Sequence, residues 1–186
     1  MSHPATHVFW TSFHHPALHN QPLYLAATAE GLCRITWPQE SFETLQHWVG
    51  KKVPGAVLTE DAELMSAYVG QLREYLTGDR TAFSLPLDMR GTPFQTSVWQ
   101  ALTKIPFGET RSYSDLAAAV GSPQAVRAVG TANGANPIPI IVPCHRVIGK
   151  NNALTGFRGG LQVKETLLRL EGFHDYTAKG HARFQF

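Results

Sequence analysis

Two mostly apolar, strand-like runs flank Glu30-Gly31 in residues 23–37, "LYLAATAEGLCRITW". That is the pattern of two buried strands joined by a tight turn. The period then changes. "SFETLQHWV" (41–49) reads as a helix, and "TEDAELMSAYVGQLREYLTGD" (59–79) as a second, with Leu64, Tyr68, Leu72 and Leu76 on one face and Gly78 as its stop. "TAFSLPLDM" (81–89) reads as a further strand that leads into a linker near Arg90-Gly91. The first twenty residues read as loop, with five histidines: His3, His7, His14, His15 and His19. Residues 1–91 are therefore expected to form an α/β domain, a small antiparallel sheet with helices.

From Thr92 the punctuation becomes helical. Thr92 is placed to cap a helix, with Pro93 at its first position, Gln95 closing a capping box, and Phe94, Val98, Leu102 and Ile105 on the apolar face. Ser112 and Asp115 repeat that grammar for "SYSDLAAAVG", which ends at Gly121. Ser122 and Pro123 repeat it for "SPQAVRAVGTANG", with Gly134 as the stop. Two short helices joined by a Gly-Ser turn fit a helix-turn-helix, although any helical hairpin gives the same signal. Pro137, Pro139 and Pro143 then exclude a helix and predict extended chain with few backbone donors. A hairpin around Lys150–Asn152 and a last helix from Leu161 to about Glu171, stopped by Gly172, complete a mostly α domain over 92–173. Residues 174–186 read as a polar tail.

Composition narrows the picture. The chain has 186 residues, 43% of them hydrophobic, which supports one large or two small cores. No apolar run is long enough for a membrane span, no secretory signal is seen, and two distant cysteines fit a reducing cytoplasm. The net charge of +2 hides an asymmetry. Residues 1–91 hold 6 Lys/Arg against 9 Asp/Glu, and residues 92–186 hold 10 against 5. A basic C-terminal half permits a polyanionic partner without demanding one.

That half also carries Cys144, set in "IIVPCHRVIG". Cys33, inside an apolar strand, reads as a small buried hydrophobe. For Cys144 a metal site is a poor reading, because no second cysteine lies nearby and one histidine does not complete a tetrahedral site. A nucleophile needs a base or a positive field, and His145 is adjacent. On extended chain, however, neighbours point to opposite faces, so a bridging water or a turn is required. Either Glu165 or Glu171 on the last helix could orient His145. The residues alone leave both readings of Cys144 open, nucleophile and packing residue.

"NPIPIIVPCHRVIG", preceded by "SYSDLAAAVGSPQAVRAVG" and followed by "GFRGGLQVKETLLRLEG", closely resembles the O6-alkylguanine-DNA alkyltransferases, the methylated-DNA–protein-cysteine methyltransferases. The match runs from about Thr92 to Gly172, and PCHRV is the family signature. Non-catalytic relatives carry tryptophan at the position of Cys144. The resemblance implies a ribonuclease H-like N-terminal domain, a winged helix-turn-helix-like C-terminal domain, and single-turnover repair of double-stranded DNA. In that reaction an alkyl group moves irreversibly from O6 of guanine, or O4 of thymine, to Cys144.

The resemblance also implies site roles. Glu171, His145 and a water would relay the proton from Cys144, and Asn136 would hold the turn before the active-site segment. Tyr113 would donate to the departing guanine, although its helical face with Leu116, Ala117 and Val120 equally suits packing. Arg127 would fill the gap left by a flipped base, with Ser114, Ser122 and Tyr113 against the DNA. The pocket would use the carbonyls of Cys144 and Val147 and the amide near Arg158, where some relatives have serine or alanine. No cofactor and no metal are implied, and a monomer is expected. The competing functions are a Cys-His hydrolase and a helix-turn-helix DNA-binding protein without transfer.

Overall fold

The computed structural model describes residues 5–155 and 157–177. The chain divides into two compact units, Met1–Arg90 and Gly91–Phe186.

The first unit is built on a four-stranded sheet in the order β3-β2-β1-β4, with β1 His7–Phe13, β2 Leu23–Thr28, β3 Gly31–Ile35 and β4 Val57–Glu60. The predicted hairpin is β2–β3, with a bulge between Ala26 and Ala27. Two expectations fail here. The first twenty residues are not loop: "HVFWTSF" forms an interior strand, antiparallel to β2 and parallel to β4. Its aromatic and β-branched residues favour a pleated surface, and the flanking His and Pro residues concealed them. The sheet is accordingly mixed, since its fourth strand joins in parallel.

The helix predicted from Thr59 begins at Ser66, because 57–60 is strand. Helix α2, Ser66–Thr77, buries Tyr68, Leu72, Tyr75 and Leu76, and Gly78 ends it in the left-handed conformation at φ 95°. Leu64 lies outside that helix and is exposed. Helix α1, Phe42–Lys52, starts with a Ser41–Thr44 capping box and packs Leu45 and Val49 against Val8, Ala26 and Cys33. Cys33 is a packing residue, and burial pushes its thiol up to about 12. "TAFSLPLDM" is not a strand beyond a single bridge, Leu32↔Leu87. Pro86 has no amide to donate, and it instead accepts from Leu32 N at 2.9 Å. A Cβ on Gly31 would stand 2.4 Å from that same Pro86 oxygen, so this crossing requires glycine.

The second unit is helical: α3 Pro93–Leu102, α4 Tyr113–Ala119, α5 Val126–Gly134 and α6 Leu161–Leu170. Both predicted capping boxes form, Thr92–Gln95 and Ser112–Asp115. Trp99 anchors α3 to α5 by donating from Nε1 to the Ala132 carbonyl at 2.8 Å. The expected N-cap at Ser122 does not form. Ser122 sits in a turn, its carbonyl accepting from Ala125 N at 2.9 Å, and α5 starts only at Val126. Gly134 closes that helix from inside rather than stopping it. Two two-residue strands, β5 Arg111–Ser112 and β6 Val147–Ile148, pair in parallel, so no hairpin forms at Lys150–Asn152. Residues 173–177 lie against α6, where Phe173 and Tyr176 pack on Ile148, Leu154 and Leu168. The tail beyond 177 and His3 lie outside the described residues. Among the described residues no helix is long and apolar enough to cross a membrane.

Candidate active site

The proline-rich segment before Cys144 is not extended. It folds into successive tight turns, with Val142 N donating to Ile138 O at 2.9 Å and Cys144 N to Val142 O at 2.8 Å. Ile140 is forced to φ 73°, a strained conformation for a β-branched residue. Asn136 braces these turns from inside. Its Oδ1 accepts from Ile138 N at 3.0 Å, and its Nδ2 donates to Val142 O at 2.8 Å. Cys144–Arg146 then form one 3-10 turn. With three residues per turn, consecutive side chains diverge by about 120° rather than 180°. The opposite-faces difficulty raised by the sequence therefore does not arise.

His145 is fully buried, and its Nε2 lies 2.7 Å from Glu171 Oε2. Glu171 caps the C-terminus of α6 and faces inward. Its Oε1 also accepts from Arg146 Nε at 2.8 Å and from the Gly108 amide at 3.1 Å, and its Oε2 accepts from Arg146 Nη2 at 3.0 Å. Arg146 is itself tied down through Nη1 to the Ile105 carbonyl at 2.6 Å. Of the two candidate glutamates, only Glu171 meets His145. Glu165 instead pairs with Arg169 at 2.9 Å and accepts from the Tyr176 hydroxyl at 2.8 Å.

Cys144 is 3% exposed, and burial pushes its thiol up to about 11, against opposing contributions from Asn136 and Lys164. Burial lowers the pKa of His145, and the contact with Glu171 partly opposes this. At neutral pH a protonated thiol is thus followed in the same turn by a neutral imidazole oriented by a carboxylate. Lys164 is also fully buried. Its Nζ donates to the Val147 carbonyl at 2.6 Å and lies 5.3 Å from the Phe157 ring centroid, and burial lowers its pKa to about 8. A cation there stabilises negative charge on Cys144.

Tyr113 is both packed and polar. It is 1% exposed, buried on α4 along with Leu116 and Ala117, and its hydroxyl lies 2.8 Å from Thr155 Oγ1. The Val147 carbonyl expected in the pocket is engaged by Lys164, and the Cys144 carbonyl accepts from Asn133 Nδ2 at 3.4 Å. Arg158 has an exposed side chain whose charge still acts on Cys144. Arg127 and Ser114 are exposed on α5 and α4, and Ser122 is half-buried between the two helices.

Sequence reasoning missed Arg146, Lys164 and Thr155. The signal for Lys164 was present: Leu161, Lys164, Leu168 and Glu171 follow one stripe of α6, which places a lysine where a hydrophobe is expected. Among the described residues no group of three or more His, Cys, Asp and Glu is placed to hold a metal ion.

The fold and the site together define a two-unit protein with a thiol set beside a buried His–Glu pair in its helical unit. Comparison with known proteins makes this specific. Residues 93–173 match the DNA binding domain of 6-O-methylguanine DNA methyltransferase, and residues 21–89 match its ribonuclease-like domain. The inducible methylated-DNA–protein-cysteine methyltransferase of Bacillus subtilis is 49% identical, over 80% of this chain and 83% of its own length. The structure of the Mycobacterium tuberculosis O6-methylguanine methyltransferase superposes with a TM-score of 0.75 at 43% identity, covering 88% of this chain and 92% of the other. The same organism's protein OGT in complex with DNA gives 0.74 at 42% identity, covering 89% and 92%. The chain belongs to the 6-O-methylguanine DNA methyltransferase family, whose activity is transfer of a methyl group from methylated DNA to a cysteine of the protein itself.

Proposed function

We propose that Cys144 is the accepting cysteine and that the substrate is O6-alkylguanine in double-stranded DNA, repaired by a monomer in one turnover. The observation that carries this reading is the buried constellation of Cys144, His145 and Glu171, assembled by a turn and a helix end 26 residues apart at the His–Glu contact. His145, neutral at rest, takes the Cys144 proton through a water, and Glu171 and Arg146 hold its ring in place. The thiolate attacks the alkyl carbon, the S–C bond forms as the C–O6 bond breaks, and guanine leaves with a proton donated by Tyr113. Lys164 balances the transient charge on sulfur. A thioether is a poor leaving group, so the alkyl group stays on sulfur and the protein is spent. Repair of an excess of O6-methylguanine duplex should plateau at one lesion per chain. Continued turnover past that plateau would favour a hydrolase.

Exposed Arg127 on α5 supports a role in DNA handling. A stacked guanine does not reach a buried thiol, so the nucleotide must rotate out at a cost of a few kcal/mol, and a guanidinium in the vacated space offsets part of this. Ser114 and Ser122 suit phosphate contacts, which carry no sequence information. Arg127→Ala should repair duplex DNA about tenfold more slowly, yet react with free O6-benzylguanine near the parental rate. Arg127→Lys should fall between, since it keeps the charge without the planar fork. Equal losses on both substrates would assign Arg127 to the fold instead.

A further inference from the structure

Thr155 has no role in the relay just described, yet it is 1% exposed and its hydroxyl lies 2.8 Å from the Tyr113 hydroxyl. Burial pushes that phenol up to about 12, and the Thr155 contact works in the opposite direction by stabilising the deprotonated oxygen. The loop that carries Thr155 is held by the segment that follows α6. Thr177 N donates to Asn152 O at 2.9 Å, Leu154 N donates to Thr177 O at 3.3 Å, and Asn152 Nδ2 donates to the Asp175 carboxylate at 3.0 Å. Leu154 shares an apolar cluster with Tyr176, whose hydroxyl is fixed by Glu165 and Arg169. Residues 174–177 thus form a strap behind the loop, just past the last residue matched by the family's DNA binding domain.

We propose that Thr155 is a positioning residue for proton transfer from Tyr113. As the phenol gives its proton to the departing guanine, the Thr155 hydroxyl keeps its own proton and donates a hydrogen bond to the phenolate oxygen, which later regains a proton from water. Losing that donor removes a charge-assisted hydrogen bond from a buried phenolate, where such a bond counts for more than in water. The inference rests on Tyr113 being the proton donor.

The test is a set of single-turnover transfer rates on O6-methylguanine duplex. Thr155→Val, which keeps the shape and loses the hydroxyl, should slow transfer about tenfold. Thr155→Ser should retain most of the rate. Tyr113→Phe should be slow, and adding Thr155→Val to it should slow it no further, because the two act in one step. If Thr155→Val slows both backgrounds equally, or neither, the positioning role is overturned while that of Tyr113 stands. If Tyr113→Phe transfers at the parental rate, the donor reading itself is overturned, and this inference with it. Should Thr155→Val fold poorly, Thr155→Ala in the same cycle gives the same expected pattern and the same overturning result.

Discussion

Glu171→Gln should cost both stability and rate. The carboxylate accepts four hydrogen bonds, from His145, the Gly108 amide and two Arg146 nitrogens. Replacing it with a neutral amide leaves the buried Arg146 guanidinium without its counter-charge, a defect that costs about 3 kcal/mol. A fall in chemical or thermal midpoint measures that part. Transfer, assayed on folded protein, should drop about 10²-fold, the lower range for a weakened general base. The pH profile adds a signed test. Contact with Glu171 raises the His145 pKa against the effect of burial. His145 must be neutral to take the thiol proton, so transfer declines as pH falls through its pKa. Removing the carboxylate lowers that pKa further and moves the acid limb to lower pH. A limb that stays in place would mean that Glu171 holds the fold without tuning the histidine.

Cys144→Ala should abolish transfer while leaving duplex binding intact, because the lost sulfur occupies little volume and Arg127, Ser114 and Ser122 lie on other elements. The cavity it leaves costs about 1 kcal/mol. Cys33→Ala should transfer normally, since Cys33 sits in the N-terminal unit against Val8, Ala26 and Leu45. Gel-shift titration and transfer assays on both variants separate binding from chemistry. Residual transfer by Cys144→Ala would move the acceptor elsewhere.

Much of the helical unit could be read in advance because its signals are local. Thr92–Gln95 and Ser112–Asp115 are self-contained capping boxes, and both form as spaced. β1 failed as a prediction for the opposite reason: its pairing partners are 10 and 50 residues away at Phe13↔Leu23 and His7↔Val57, and its own flanks look like loop. The Cys144 turn failed similarly. Three prolines argue against helix and for extended chain, but Asn136 supplies donor and acceptor to hold a compact turn that no periodicity announces. In the site, adjacent residues such as Cys144 and His145 were visible, and resemblance selected Glu171. The choice between Glu165 and Glu171 on physical grounds needed to know which end of α6 faces the histidine. Arg146 and Thr155 were missed because their importance lies wholly in distant partners, Glu171 and Tyr113.

The central claim is that the alkyl group ends on Cys144. Intact mass and peptide mapping, after incubation with a duplex carrying one O6-methylguanine, test it most directly. The account predicts a single gain of about 14 Da per chain, one hydrogen replaced by a methyl group in a stable thioether, confined to the peptide containing Cys144. Lesion loss with no mass gain, or a methyl group found on Cys33, would contradict it.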